Sequence, residues 1–499
     1  MAGIRLTGLA SGMDTESLVS QLSEAYQMKV DNVKKDQTKL EWKKEAWKGL
    51  NTKIMDFYKG ALSTFKSTST YRAKTATGDL KGVKVTAGNG TVNGTHRVQV
   101  KSTATAQMWT GGKITKDDGS KAEGSTKLVD LGIKNGSTIK INGNAIDIDE
   151  NTTLSSLASQ MNKLGIEANY DAGQGRFYLN AKGPGEDNAF TLQGSDEDAL
   201  KALGLNLEVD ADGDGKLDEV AGRIDASDAI IEYNGVEYKQ SSATFNINGL
   251  TIEAVEKGDM QTFTVGTDAQ GIYDKVKKFV DDYNKLIDEM NTLYNAERVK
   301  DYEPLTDDEK AAMSEDEIEK WEGVIKGSLL RRDDTIGSLL TNMRSILNKS
   351  VSVTMADGST KQFALSSFGI NTSDYSERGK LHIYGNKDDA SFADMDDQLM
   401  KAINENPEAV EDTLSNLGTE MYNHLMKAMS KSDISSALTF YNDVQMDKEI
   451  GEYKDRVSTL QDKAIAEEDK YYEQFAAMEA AMAKLQAQQS YVSQLFGGM

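Results

Sequence analysis

Residues Val444 to Leu495 read as one helix with a seam, and a helix of that length restricts what the rest of the chain can be. Counting in sevens from Ile450 gives Val457, Ala464, Tyr471, Met478, Leu485 and Val492, all apolar, with Tyr453, Leu460, Glu467, Gln474, Ala481, Gln488 and Leu495 between them. That is heptad patterning, uninterrupted by proline. At 1.5 Å per residue such a helix is roughly 75 Å long, too long for a compact domain to wrap, so its seam needs another helix. The N-terminal part supplies one. Counting in sevens from Val19 gives Tyr26, Val33, Leu40, Trp47, Ile54 and Ala61, with Leu22, Lys29, Asp36, Lys43, Leu50, Phe57 and Thr64 between them.

Charge favours pairing the two ends. From Lys29 to Lys48 the first helix carries seven lysines against Asp31, Asp36, Glu41 and Glu45, whereas the last is acidic from Asp447 to Glu473. Exposed ion pairs contribute only about 0.3–0.5 kcal/mol each, so they select a partner more than they hold it. Charge alone fits two solvated faces equally well. The residues expected at an antiparallel coiled-coil seam are Val19, Leu22, Tyr26, Val33 and Leu40 on one side, and Val457, Leu460, Tyr471, Met478, Leu485, Val492 and Leu495 on the other. Asp14 or Thr15 is placed to cap the first helix.

Between the terminal helices the texture changes twice. From Val83 to Val265 short alternating apolar runs separated by glycine predict strands, with hairpin turns at Asn142–Gly143 and Asn248–Gly249. Leu154 to Leu164 has helical spacing inside this region, so a small α+β unit is nested within a β unit. From Ile272 the period returns to helix through Val276, Phe279, Val280, Tyr283, Ile287, Met290 and Tyr294. Further helices are predicted over Ser328–Leu347, Phe392–Asn404 and Glu408–Met429, with a hairpin at Val351–Phe363. The acidic stretch Tyr302–Glu322 reads as a surface elaboration with short helices.

A chain of 499 residues with 38% hydrophobic content supports more than one core. The net charge of -23 argues against nucleic acid and anionic membrane surfaces as partners and leaves other proteins. No segment has the apolar length that spans a bilayer, and the N-terminus lacks the pattern of a cleaved signal peptide. The absence of cysteine removes disulfides, thiolate metal sites and cysteine nucleophiles, and suits a chain threaded unfolded through a narrow export channel.

Nothing in the sequence reads as an active site. His96, His382 and His424 fall in unrelated segments and are read as partly exposed structural histidines. No phosphate-binding glycine loop, zinc-protease helix or nucleophile elbow occurs, so no cofactor is required and the chain is not expected to be an enzyme. One local motif stands out. Asp210, Asp212 and Asp214 alternate before Gly215, the Lys216 carbonyl and Asp218, in the spacing of the first five ligands of a calcium loop. Ala221 stands where the bidentate glutamate belongs. Three readings stay open: a Ca2+ site completed by another carboxylate such as Glu219, a weak site, or an acidic turn.

Several separated stretches together resemble one family. GLASGMDTESLVSQL at the N-terminus, IYDKVKKFVDDYNKLIDEMN, LLRRDDTIGSLLTNMRSIL, and the run from FGINTSDYSERGKLHIYGN to NENPEAV are similar to the flagellar filament capping protein, hook-associated protein 2 (FliD) family. Ile139–Leu179 resembles the small motif shared by flagellin and hook proteins. The resemblance implies an α+β multidomain chain: a terminal antiparallel helical coiled coil as a leg, a helical body and inserted β-rich head domains. The expected boundaries are 1–45 leg, 46–75 body, 76–108 inner head, 109–222 outer head, 223–267 inner head, 268–445 body and 446–499 leg.

It further implies a filament cap reached through the flagellar export apparatus. The cap would be a closed ring of about five or six copies that promotes flagellin polymerisation. Flagellin, hook-filament junction proteins and an export chaperone are the implied partners, and subunits are expected to meet on the apolar faces of the helices beginning at Ile272 and Ser328. The residue pattern leaves one other class open, a surface adhesin whose β-rich heads bind a host glycan or receptor.

Overall fold

The computed structural model describes residues 12–116, 118–195, 197–206, 222–372 and 375–496. The chain separates into two units. One holds the residues up to Tyr71 together with those from Ala269 onward, and the other is Arg72–Asp268.

The first unit is built on the helix Thr15–Lys59, whose N-cap is Asp14: its carboxylate accepts the Ser17 N–H at 3.1 Å. The helix stops at Gly60, where a Cβ would lie 2.8 Å from the Asp56 carbonyl, and the chain turns into the short helix Ala61–Phe65. Against this turn lies the helix Ala269–Tyr294, with Ile272, Val276, Phe279, Val280, Tyr283, Ile287 and Met290 buried at the predicted spacing. The Phe279 ring stacks on Phe65 at 3.7 Å and meets Phe57 at 5.7 Å. The helix Pro407–Ala428 closes the core with Val410, Leu414, Leu417, Met421 and Leu425, and stacks Tyr422 on Tyr58 at 4.2 Å. Gly418 permits this approach, since a Cβ there would sit 2.8 Å from the Phe65 ring.

Two helix starts differ from the periodicity reading. The helix predicted from Ser328 begins at Asp334, because Arg332 takes a left-handed backbone (φ 54) and Asp333 caps the new helix through the Thr335 N–H at 3.0 Å. Ser328 instead ends the helix Glu315–Ser328, which starts inside the acidic stretch under a reciprocal Ser314–Glu317 capping box. The helix predicted from Phe392 begins at Gln398, capped by Asp397. The predicted hairpin appears as Val351–Thr354 paired antiparallel with Thr360–Phe363.

The second unit contains fifteen described strands and two cores. β1 (Lys74–Thr77), β3 (Gly94–Ser102), β11 (Ala229–Tyr233), β12 (Val236–Gln240) and β15 (Gln261–Thr267) form one antiparallel sheet in the order β1-β15-β3-β11-β12. β2 (Val83–Ala87), β13 (Thr244–Ile247) and β14 (Leu250–Ala254) form a second, ordered β13-β14-β2. Alternation sends Val98, Val100, Ile231, Phe245, Ile252 and Phe263 into their shared core.

The nested part has its own core around Leu128, Ile139, Ile141, Leu154, Leu157, Phe177 and Leu179. Its sheets are ordered β10-β4-β8-β7 and β6-β5-β9, from β4 (Met108–Thr110), β5 (Thr138–Ile141), β6 (Asn144–Asp147), β7 (Ile166–Asp171), β8 (Arg176–Ala181), β9 (Leu192–Gly194) and β10 (Gly222–Ile224). The helix Leu154–Lys163 packs on β7 under a Thr153–Ser156 capping box. A Thr105–Ser227 bridge ties the two strands of chain entering and leaving it.

Three hairpins share one turn chemistry. Asn142–Gly143, Asn234–Gly235 and Asn248–Gly249 all take positive φ at both positions, the type I′ geometry that suits the strand twist. The middle turn joins β11 to β12 and carries the same dipeptide signal as the two predicted from the sequence.

Candidate assembly surface

The two terminal helices, Thr15–Lys59 and Asp443–Phe496, pack against one another. They run antiparallel: Trp47 stacks on Tyr441, Lys44 pairs with Asp447, and Tyr26 is within electrostatic reach of Lys470. From Val19 to Val33 the buried and half-buried positions of the first helix are Val19, Ser23, Tyr26, Val30, Asp31 and Val33, a row in alternating steps of four and three with Asp31 beside it, and from Lys34 to Trp47 every position but Asp36 and Glu45 is buried or half-buried. Val19, Tyr26 and Val33 lie on that row, and Leu40 is half-buried. Leu22 is off the row; it is 45% exposed, while Val30 is fully buried one position after Lys29. The row steps by four after Val19 and Tyr26, where the heptad count steps by three.

On the last helix Val457, Leu460, Tyr471 and Met478 are half-buried. Beyond Tyr471 the buried and half-buried positions are Tyr472, Phe475, Met478, Glu479 and Met482, so Met478 keeps the count while Gln474, Ala481 and Gln488 are exposed. A straight α-helix drifts by about 20° per heptad against a strict count of seven, which moves the intermediate row by one position, from Gln474 to Phe475 and from Ala481 to Met482. Leu485 and Val492 stand 61% and 50% exposed, as every described side chain from Ala483 to Ser493 is exposed, and the Leu495 side chain lies outside the described ones.

The lysine-rich stretch is shared among more partners than the last helix. Lys44 reaches Asp447, but Lys35 pairs with Glu309 at 3.3 Å, Lys39 with Glu303 at 3.0 Å and Lys43 with Asp333 at 3.5 Å. Glu303 and Glu309 belong to the acidic stretch read as a surface elaboration. It is docked on the first helix. Trp321 donates its indole N–H to the Glu303 carbonyl at 2.8 Å and packs on Tyr302, and Lys326 sits 4.5 Å over the Trp42 ring. Beneath them Glu322, only 8% exposed, lies between Lys310 at 2.8 Å and Lys326 at 3.0 Å. Burial pushes its carboxyl up, but the two ammonium groups outweigh that and hold it below the ordinary glutamate range. The Glu309 carboxyl is also held low, first by the Thr306 N–H and then by Lys35.

The helix faces expected to meet other subunits are occupied within the unit. Ile272, Val276, Ile336 and Leu340 are all buried. A groove of about 590 Å³ remains between Lys53–Thr64 and Lys275–Glu289, floored by Phe57, Ala61 and Leu286 and edged by the Lys53–Glu289 and Lys278–Asp282 pairs at 2.6 Å.

The histidines serve local structure. His96 is buried rather than partly exposed, its ring stacked between Tyr233 and Phe263 and 2.8 Å from the Tyr233 hydroxyl. His382 bridges Glu377 at 2.5 Å and Asp389 at 2.6 Å, and His424 is half-buried. Among the described residues no cluster of three or more such ligands could hold a metal, and no helix is long and apolar enough to cross a membrane. The candidate calcium ligands Asp210, Asp212, Asp214, Lys216 and Asp218 lie outside the described residues.

The family profile described as "Flagellar hook-associated protein 2 C-terminus" matches residues 226–487, more than half of the chain. "Flagellar hook-associated protein 2 N-terminus" matches 11–107, and "Flagellin hook IN motif" matches 130–183. The flagellar hook-associated protein 2 of Halalkalibacterium halodurans is 25% identical over 99% of this chain and 100% of its own length. That of Escherichia coli is 26% identical over 99% and 98%. The crystal structure of the Escherichia coli flagellar cap protein FliD D1-D2-D3 domains is similar in fold, with a TM-score of 0.50 and 21% identity over 81% of this chain and 99% of that one.

Proposed function

Because the chain belongs to the flagellar hook-associated protein 2 family, we propose that it caps the growing bacterial flagellar filament, oligomerising at the tip and promoting the polymerisation of flagellin beneath it. The observation that carries this reading is the end-to-end match to relatives of that description, which spans both terminal helices and the inserted strands. The matched families lend no support to an adhesin. The work of such a cap is positional, and it asks no catalytic group of the chain.

On this reading the paired terminal helices engage the filament, through the seam residues Val19, Tyr26, Val33, Leu40, Val457, Leu460, Tyr471 and Met478 that hold them together. The partners are further copies of the chain, flagellin, the hook-filament junction proteins beneath, and a chaperone before export. The route is the flagellar export apparatus, and the destination is the extracellular filament tip. The segment from Asp210 to Asp218 binds Ca2+ weakly and stiffens the second unit locally. Calorimetric titration of the wild type against Asp212→Ala tests that, with identical null traces leaving only an acidic turn.

Deletion of the gene tests the main proposal. Cells lacking the chain should lose swimming and release monomeric flagellin into the medium, and plasmid-borne wild type should restore both. Normal filaments in the deletion strain would remove the proposal.

A further inference from the structure

A second groove, of about 630 Å³, lies between the end of the helix Ala269–Tyr294, the helix Asp334–Leu347 and the turn at Arg378–Gly379. It is lined by Arg332, Arg344 and Arg378, with Asn291, Tyr294 and Thr341. In a chain of net charge -23 whose cations are widely paired, none of these three guanidinium groups forms an ion pair among the described residues. Among the described residues the acids next to them in sequence are engaged or apart: Asp333 is turned to Lys43 and Trp47, Glu377 is bonded to His382, and Asp334 pairs with none of the three, while Asp374 lies outside the described residues.

The arginines are held in place by neutral contacts. Arg344 donates to the Asn291 side-chain oxygen at 3.1 Å, while its Nε is buried without a hydrogen-bond partner. It lies close to Gly379, where a Cβ would come within 2.4 Å of that Nε. Arg332 sits 5.1 Å from the Tyr294 ring. Arg332 and Arg378 both adopt left-handed backbones, φ 54 and 51, a conformation rarely taken by long side chains. The Asn291 amide donates to the Arg378 carbonyl at 3.2 Å and helps to fix that turn. Unpaired planar guanidiniums beside amide and hydroxyl groups are the chemistry that receives carboxylates.

The complementary surface is on the same unit. Asp307, Asp308, Glu315, Asp316 and Glu319 of the acidic stretch are all exposed, and none of them forms an ion pair among the described residues. The rest of that stretch is already committed: Glu303 and Glu309 to lysines of the first helix, Glu322 to Lys310 and Lys326, and Glu317 to its cap. Two different and complementary patches on one chain make a head-to-tail contact, which closes into a ring when the rotation per copy allows.

We propose that the arginine groove receives the Asp307–Glu319 segment of a second copy of this chain, an assignment that rests on the reading of the chain as a self-assembling cap. The test is sedimentation of the full-length protein over a concentration series, with far-UV circular dichroism to confirm folding. Reversing the groove (Arg332→Glu with Arg378→Glu) or the segment (Asp307→Lys with Asp308→Lys and Asp316→Lys) should raise the dissociation constant by at least about tenfold. An equimolar mixture of the two variants should associate again, because each then offers what the other lacks. Unchanged association of the groove variant, or a mixture no better than its parts, overturns the groove assignment and leaves the cap reading standing. A wild type that stays monomeric at every concentration overturns both.

Discussion

The indole of Trp47 lies against the ring of Tyr441, 5.7 Å between centroids with the planes 11° apart. Asn51, one turn further on, locks the same approach: it donates to the Leu438 carbonyl at 3.3 Å and accepts the Phe440 N–H at 3.0 Å. The indole N–H is directed at Asp333, the cap of the helix Asp334–Leu347, at 3.3 Å. One side chain thus joins the first helix, the segment leading into the last helix, and a third helix. The antiparallel pairing of the two termini starts from this junction.

Trp47→Ala should therefore destabilise the first unit by about 3–5 kcal/mol, the usual cost of emptying a large aromatic site. Urea unfolding followed by circular dichroism measures it. A loss below about 1 kcal/mol would mean that the surrounding helices collapse into the space or that the stack is peripheral.

The seam makes a paired prediction. Val30→Asp buries an unpaired charge between the helices and should cost several kcal/mol, whereas Leu485→Asp changes an exposed position and should stay within about 0.5 kcal/mol. Limited proteolysis reports on both, since loosened helices are cut along their length. Equal sensitivity of the two variants would contradict the difference in burial between the two positions.

How far the sequence speaks is visible in these same positions. A period of seven located the two long helices and one row of each seam, because Val19, Tyr26, Val33 and Leu40 are apolar and evenly spaced. It could not choose between Leu22 and Ser23 as the alternate row, since the better hydrophobe is the one left in water. Nor could it foresee that Phe475 replaces Gln474 on the contact face, which follows from helix geometry and not from composition. Opposite charge predicted that the lysines would find acids, but not which acids. The docked partner of Lys35 and Lys39 is a stretch whose polar composition resembles that of a solvated loop. The arginine groove has no sequence signal at all, because left-handed backbone at Arg332 and Arg378 is imposed by packing around Tyr294, Asn291 and Gly379.

Gly418 offers a test of close approach within the core. Gly418→Ala places a methyl 2.8 Å from the Phe65 ring and 2.9 Å from the Lys66 Cα, and Lys66 backbone cannot swing aside as a side-chain tip would. Overpacking of this kind costs about 1–3 kcal/mol, against the small gain expected from replacing a helical glycine. A stability increase on thermal unfolding would show that the helix Pro407–Ala428 slides without cost.

The docking of the acidic stretch should depend on pH through Glu322. Its folded-state carboxyl titrates below the ordinary value of 4.5, because Lys310 and Lys326 outweigh the effect of burial. A group depressed in the folded state contributes stability that is complete above its unfolded value and is lost as pH falls through the folded one. The contribution is therefore full at neutral pH and disappears on acidification below about 4.5, where protonated Glu322 leaves both lysines without a buried partner. Glu309, held low by the Thr306 N–H and by Lys35, adds to the change in the same direction. Trp321 against Tyr302, and Trp42 beneath Lys326, place two indoles where detachment alters fluorescence. Wild-type emission should shift on acidification before the far-UV circular dichroism signal changes, and Glu322→Gln should already show much of that shift at neutral pH. Wild-type and Glu322→Gln traces that superimpose down to global unfolding would remove Glu322 as the anchor and leave the stretch held by the surface pairs of Lys35 and Lys39 alone.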